Sequence, residues 1–291
     1  MSEFIAVAGA TGTQGGATAR ALLRDGHPVC ALTRSPGSAA AGELVRLGAR
    51  VRYADFADRV ALGAALAGCT ALFAVTTPFT GGVEREVADG IALLEAAAAT
   101  DTIEHVTLTS AANADRDTGI PHFDSKHRVE RHLATLGIGW TVIAPAVFME
   151  QYTKPPTPQG LRDGVFARAM APDQPFALIA AEDIGAFAAR TLTSPAEFAG
   201  RRIDIASDVR AGKEIASILG AACGREVAFE EVPLERVVER APELAPMFRY
   251  FATVGLKVDV AGLRRDYPEI GWHSLAEWAV RQNWSLLTTS R

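Results

Sequence analysis

Gly9-Ala10-Thr11-Gly12-Thr13-Gln14-Gly15 lies between the apolar run Phe4-Ile5-Ala6-Val7-Ala8 and a segment, Ala17 to Asp25, with the pattern of a helix. A strand, a glycine turn and a helix in that order describe a phosphate cradle. The chain must turn tightly off the strand end, and a side chain there would keep backbone N–H groups away from a pyrophosphate. The helix that follows offers unpaired N–H groups and the positive end of its dipole. The spacing is G-x-x-G-x-x-G, not the G-x-G-x-x-G dinucleotide fingerprint, so the glycines alone leave an ordinary βα turn open. With their flanking strand and helix they point to a dinucleotide.

The rest of the chain bounds this reading. Its 291 residues, 48% of them apolar, suffice for one large two-lobed domain or two small ones. Lys plus Arg total 29 against 34 Asp plus Glu, a formal charge of -5 with no basic run. That balance argues against a direct nucleic-acid surface, because phosphate contacts need a basic face. Cys30, Cys69 and Cys223 form no C-x-x-C pair and read as thiols in a reducing compartment. The chain enters a strand within a few residues, and no segment approaches transmembrane length. The expectation is a cytoplasmic protein with no membrane partner.

Short apolar runs alternate with helical segments through the first half: 28–33, 49–53, 70–75, 104–110 and 140–144 as strands, with helices between them. Alternation of this kind implies parallel pairing through right-handed crossovers, hence a Rossmann-type doubly wound α/β sheet. The expected dinucleotide-binding domain is 1–150, with the strand and helix of 176–193 returning to it. Segments 151–175 and 194–291 form a smaller α+β lobe that includes a strand at 202–206. The proline-rich 153–158 cannot be a helix interior or a central strand and is read as a loop or lid over the site.

In an open parallel sheet, ligands lie beyond the carboxyl ends of the strands. The second strand ends in Thr33-Arg34, where an NAD-selective site carries an acidic residue for the ribose 2′-OH. Arg34 can instead pair with a 2′-phosphate, which favours NADP(H) over NAD(H); a solvated turn arginine is the alternative. Asp55 and Phe56 end the third strand and could meet the adenine, although Asp55 could equally cap the next helix. In His122-Phe123-Asp124-Ser125-Lys126 the four-residue spacing puts His122 and Lys126 on one helix face. Thr109 and Ser110 end the preceding strand, so hydroxyl, imidazole and ammonium could converge to hold a nicotinamide ribose and pass a proton. Capping, packing and solvation are the alternatives. His122, His127 and His132 recur every five residues, roughly 140° apart on a helix, so they share no face and no metal site is expected. Phe148, Met149 and Tyr152 could wall a substrate pocket; for Phe148 taken singly, buried core is the favoured reading.

Gly9 to Gly16, Thr33-Arg34, His122 to Lys126, Pro145-Ala146-Val147-Phe148-Met149-Glu150 and Met247-Phe248-Arg249-Tyr250-Phe251 together resemble the NmrA-like family, a branch of the atypical short-chain dehydrogenase/reductases. The resemblance implies a Rossmann domain with a small C-terminal lobe, NADP(H) on the first and a pocket between them. It assigns the pyrophosphate to Gly9, Gly12 and Gly15 with Thr11, Thr13 and Gln14, and the 2′-phosphate to Arg34 beside Thr33. Asp55 and Phe56 take the adenine, Thr76 and Thr77 the ribose side, Lys126 the nicotinamide ribose, and Pro145 and Phe148 further cofactor contacts. Phe79, His122, Phe148, Met149 and Tyr152 make the implied substrate pocket. The pattern departs at His122, where the wider superfamily has a proton-donating tyrosine. A cation beside a histidine lowers its pKa, so His122 would be a poor resting acid. The family includes both reductases of small molecules and redox sensors that act through protein partners, and this chain is expected to reduce a small apolar or aromatic acceptor as a monomer or homodimer.

Overall fold

The computed structural model describes residues 3–284. Two compact units are traced by the chain: Met1–Asp117, Pro121–Ala144 and Ile184–Asp204 form one, and Thr118–Ile120, Pro145–Asp183 and Ile205–Arg291 the other.

Twelve strands occur among the described residues: β1 (Phe4–Val7), β2 (Val29–Thr33), β3 (Arg50–Tyr53), β4 (Cys69–Ala74), β5 (His105–Thr109), β6 (Gly139–Pro145), β7 (Val147–Phe148), β8 (Val165–Arg168), β9 (Pro175–Ile179), β10 (Arg201–Ile205), β11 (Asp208–Ala211) and β12 (Ala228–Glu231). The helices used below are α1 (Thr13–Arg24), α2 (Ala39–Arg46), α3 (Arg59–Leu66), α4 (Gly82–Ala98), α5 (Pro121–Leu133), α6 (Thr157–Arg162) and α7 (Ala181–Thr193).

The first unit is built on a seven-stranded sheet in the order β10-β6-β5-β4-β1-β2-β3. Pairings from β3 through β6 are parallel. Helices cover both faces of such a sheet, so its inner strands are continuous apolar runs: Val29, Cys30, Ala31 and Leu32 of β2 are all buried. Leu32, Leu72, Val106 and Val142 pack with Leu62 of α3 and Leu93 of α4 in one core. After β3 the chain returns past β1 to β4, which makes the gap between β1 and β4 the switch point where a doubly wound sheet opens a crevice at its carboxyl end. The Rossmann-type α/β fold expected from the alternation is the fold found.

Two strands lie elsewhere than expected. β9 joins β7 and β11 in a separate three-stranded sheet of the second unit, while β10 closes the edge of the seven-stranded sheet. Charged Arg202 and Asp204 suit an edge strand, where they pair at 2.6 Å. The proline-rich stretch is a turn at 154–156, as expected, and departs from a loop at its end. It enters α6 with Pro158 in the first turn, where a missing N–H costs nothing. The second unit further pairs β8 with β12 and buries Met149, Tyr152, Leu161, Phe166, Leu178, Leu219 and Trp278 in its own core. No helix among the described residues is long and apolar enough to cross a membrane.

The turn after β1 is set by close backbone approach. Gly9 has φ +58°, and a Cβ at Gly15 would lie 2.4 Å from the Gly9 carbonyl oxygen and 2.5 Å from that of Ala8. Backbone oxygens cannot step aside. Gly15→Ala is therefore expected to lower stability by about 1–3 kcal/mol. Gly42→Ala in α2, where nothing lies within 4 Å of the new methyl, should raise it by up to about 1 kcal/mol. Thermal unfolding of the two variants beside the parent chain checks both signs.

Candidate functional site

The first unit carries the site at the carboxyl ends of its strands. Helix α1 is capped by Gly12, extended at φ -98° and ψ -175°, with no side chain to satisfy the first-turn N–H groups and no acidic residue in that turn. Gly12 N–H donates to the Gly9 carbonyl at 2.8 Å, and Gly16 N–H to the Gly12 carbonyl at 2.9 Å. The N–H groups of Thr13, Gln14 and Gly15 lie in between, where a helix has no internal partner for them. A short, bare, positively polarised turn of this kind suits an anion.

Side chains on neighbouring strands frame the turn. The Thr11 and Thr33 hydroxyls are 3.3 Å apart, and Thr33 Oγ1 also accepts from Ser35 N–H at 3.1 Å, which fixes the bend carrying Arg34. Arg34 is exposed and has no ion-pair partner among the described residues. Asp55 does not cap α3. Its Oδ1 accepts from Ala57 N–H in a local turn, and Asp58 is the cap, accepting from Val60 and Ala61 N–H at 3.0 Å each. Half-buried Phe56 packs against the core beside it.

Thr109 and Ser110 part company. The Thr109 hydroxyl donates to Gln14 Oε1 at 2.7 Å, which ties it to the side chain on α1. It orients Gln14, a link with no signature in the sequence. Ser110 N–H donates to the Ile143 carbonyl at 2.8 Å, but its hydroxyl is buried with no partner. An orphaned buried hydroxyl costs roughly 1–3 kcal/mol, and a ligand's polar atom would relieve it.

Lys126 lies on α5 and extends its ammonium to the end of β4. Its Nζ donates to the Thr76 carbonyl at 3.2 Å and to Glu86 Oε1 at 2.7 Å. Glu86 of α4 is a site residue that the spacing of motifs did not reveal. The signal was available: Glu86 falls on the buried stripe of α4 with Val87, Gly90, Leu93, Leu94 and Ala97. Exposed Thr77 caps the turn Pro78–Thr80, accepting from Phe79 N–H at 3.4 Å. Phe79 is 81% exposed, its ring 6.2 Å from that of His122. His122 itself is half-buried, edge-on to Phe123 at 5.1 Å. Burial first, and then the Lys126 ammonium, push the His122 pKa below its usual value. The imidazole is thus neutral at pH 7.

The second unit holds the remaining expected residues, and two of them do not fit a pocket wall. Met149 and Tyr152 are 0% and 1% exposed. Tyr152 packs edge-on against Phe166 at 5.6 Å and Trp278 at 6.4 Å. Both side chains are filled into the core of that unit, and burial drives the Tyr152 phenol pKa up. Phe148 on β7 is half-buried, and Pro145, at the end of β6, is buried.

The sequence matches the NmrA-like family over residues 1–279. It is 28% identical over 234 residues to the NAD(P)H azoreductase of Xenophilus azovorans, covering 80% of this chain and 78% of the other. Among solved structures, the NADPH-dependent quinone oxidoreductase of Escherichia coli in complex with NADPH is 26% identical, with a TM-score of 0.79 over 94% of this chain and 98% of that one. NmrA, a negative transcriptional regulator, shares the fold at a TM-score of 0.79 and 20% identity, over 98% and 100% of the two chains.

Because the Lys126 charge is one cause, after burial, of the low His122 pKa, Lys126→Gln is expected to move the His122 titration upward. Ring-proton NMR shifts followed from pH 4 to 8 read both values.

Proposed function

The chain belongs to the NmrA-like family, and on that premise we propose that it is an NADPH-dependent reductase of a small apolar or aromatic acceptor such as a quinone, an azo compound, an enone or an imine. The observation that carries the reading is the partnerless Ser110 hydroxyl at the end of β5, beside the strand whose end holds the Lys126 ammonium. Binding the pyrophosphate and adenine alone would leave both polar groups without a ligand. The relatives that reduce azo compounds and quinones lend support from their side.

The residues fit a nicotinamide dinucleotide. The uncapped first turn of α1 takes the pyrophosphate, with Gly9, Gly12 and Gly15 keeping the approach open and Gln14 held by Thr109. Arg34, free of other charges, takes the 2′-phosphate that distinguishes NADPH from NADH. Asp55 and Phe56 lie at the end of β3 for the adenine, and Thr76 and Thr77 at the end of β4 for the ribose. When bound, the cofactor supplies a hydride. The chain's own part is electrostatic and positional: Lys126 holds a fixed positive charge near which negative charge on a reduced oxygen or nitrogen is stabilised. Ser110 donates a hydrogen bond there. His122 is neutral at rest and can relay a proton only after taking one from water, so the acid is solvent-derived. Phe79, exposed beside His122, is the apolar contact for a flat acceptor.

Mixing the protein with NADPH and a panel of quinones, azo dyes, enones and imines is expected to give acceptor-dependent loss of absorbance from the reduced cofactor. Arg34→Ala should raise the KM for NADPH about tenfold, the worth of one charge-assisted contact, and leave that for NADH nearly unchanged. Tight but unequal binding of NADPH and NADP⁺ with no oxidation across the panel would overturn the reductase reading in favour of a cofactor-ratio sensor acting through a protein partner.

A further inference from the structure

We infer that Glu86 is a positioning residue of the site: its buried carboxylate fixes the Lys126 ammonium at the end of β4, so that the lysine meets a ligand with one N–H already aimed. The inference rests on the cofactor reading given above.

A lysine side chain is long and loses up to roughly 2 kcal/mol of rotamer entropy when held in one place. Lys126 is held nonetheless, its side chain only 13% exposed against a Glu86 side chain that is 0% exposed. Two of its three protons are engaged, one by Glu86 Oε1 at 2.7 Å and one by the Thr76 carbonyl at 3.2 Å. The third has no partner among the described residues. Glu86 is aimed in turn. Its other oxygen, Oε2, accepts from the Ser125 hydroxyl at 2.5 Å, and Oε1 has a longer contact with the Thr76 hydroxyl at 3.4 Å.

Backbone packing sets the register of this network. One turn along both helices, a Cβ on Gly90 would lie 2.8 Å from Val129 Cγ2, so α4 and α5 pass at close range. Glu86 precedes Gly90 by four residues, and Ser125 precedes Val129 by four, which brings the carboxylate and its donors to the same level. A carboxylate on an otherwise apolar stripe is a poor device for stability, since a well-packed apolar pair would serve as well or better. What the pair supplies is a fixed cation at a stated place, which an apolar pair cannot.

The test is a double-variant cycle read by NADPH affinity, measured from cofactor fluorescence, with turnover as a second readout. In the parent chain, Glu86→Gln is expected to weaken NADPH binding about tenfold, because the ammonium is no longer aimed. In a Lys126→Met background the same substitution should change affinity by less than twofold. An equal loss in both backgrounds, or no loss in the parent, overturns the inference. If Glu86→Gln does not fold, Ser125→Ala takes its place: it keeps both charges, removes the hydroxyl that aims Glu86, and should give about a threefold loss only where Lys126 is present. Equal effects of Ser125→Ala with and without Lys126 overturn the inference as well. A folded parent chain that binds no NADPH overturns the cofactor reading itself, an outcome distinct from a bound parent that is indifferent to Glu86.

Discussion

Helix α1 is pressed so closely onto the end of β1 that one added carbon at residue 15 would collide with the carbonyl oxygens of Ala8 and Gly9. The same helix is met from α7, where a Cβ on Gly185 would lie 2.4 Å from the Ala17 carbonyl carbon. With glycine at both contacts, α1 is held between the strand end and α7, and its bare first turn stays at the gap between β1 and β4. The remaining site groups are arranged around that fixed turn. Thr33 ends β2 and Arg34 follows it, Asp55 follows β3, Thr76 follows β4, and Ser110 follows β5.

Electrostatics divides the work among these groups. The positive end of α1 and Arg34 are open to an anion, whereas the Lys126 charge is balanced internally by Glu86. At His122, burial and then the Lys126 ammonium outweigh the Glu86 and Asp124 carboxylates and hold the pKa below its usual value. With the lysine charge balanced and the imidazole neutral, these groups hold and orient a polar ligand atom better than they deliver a proton.

The first half of the fold was legible because its inner strands β2, β4 and β5 are buried on both faces and each is followed by a helix, so apolar runs and glycine turns alternate in register with the architecture. Legibility failed where a strand's sheet depends on distant partners. Phe176 to Ile179 looks like a sheet strand and is one, but of another sheet, while Arg202 and Asp204 disguised an edge strand of the main one. Within the site, residues borne by strand ends were readable from position alone. Those defined by contacts across helices were not: the Thr109–Gln14 hydrogen bond spans 95 residues and Glu86–Lys126 spans 40. Met149 and Tyr152 show the converse error, since an aromatic and sulfur cluster looks the same in sequence whether it lines a cavity or fills a core.

The uncapped turn of α1, with Arg34 beside it, is the proposed site for NADPH. Calorimetric titration of the folded parent chain with NADPH, repeated with NADH, tests it most directly. A single saturable site per chain, occupied at least tenfold more tightly by NADPH than by NADH, is the result expected from a 2′-phosphate held by an unpaired arginine. Absence of saturable heat with either cofactor, from protein whose cooperative unfolding shows it to be native, would contradict the claim.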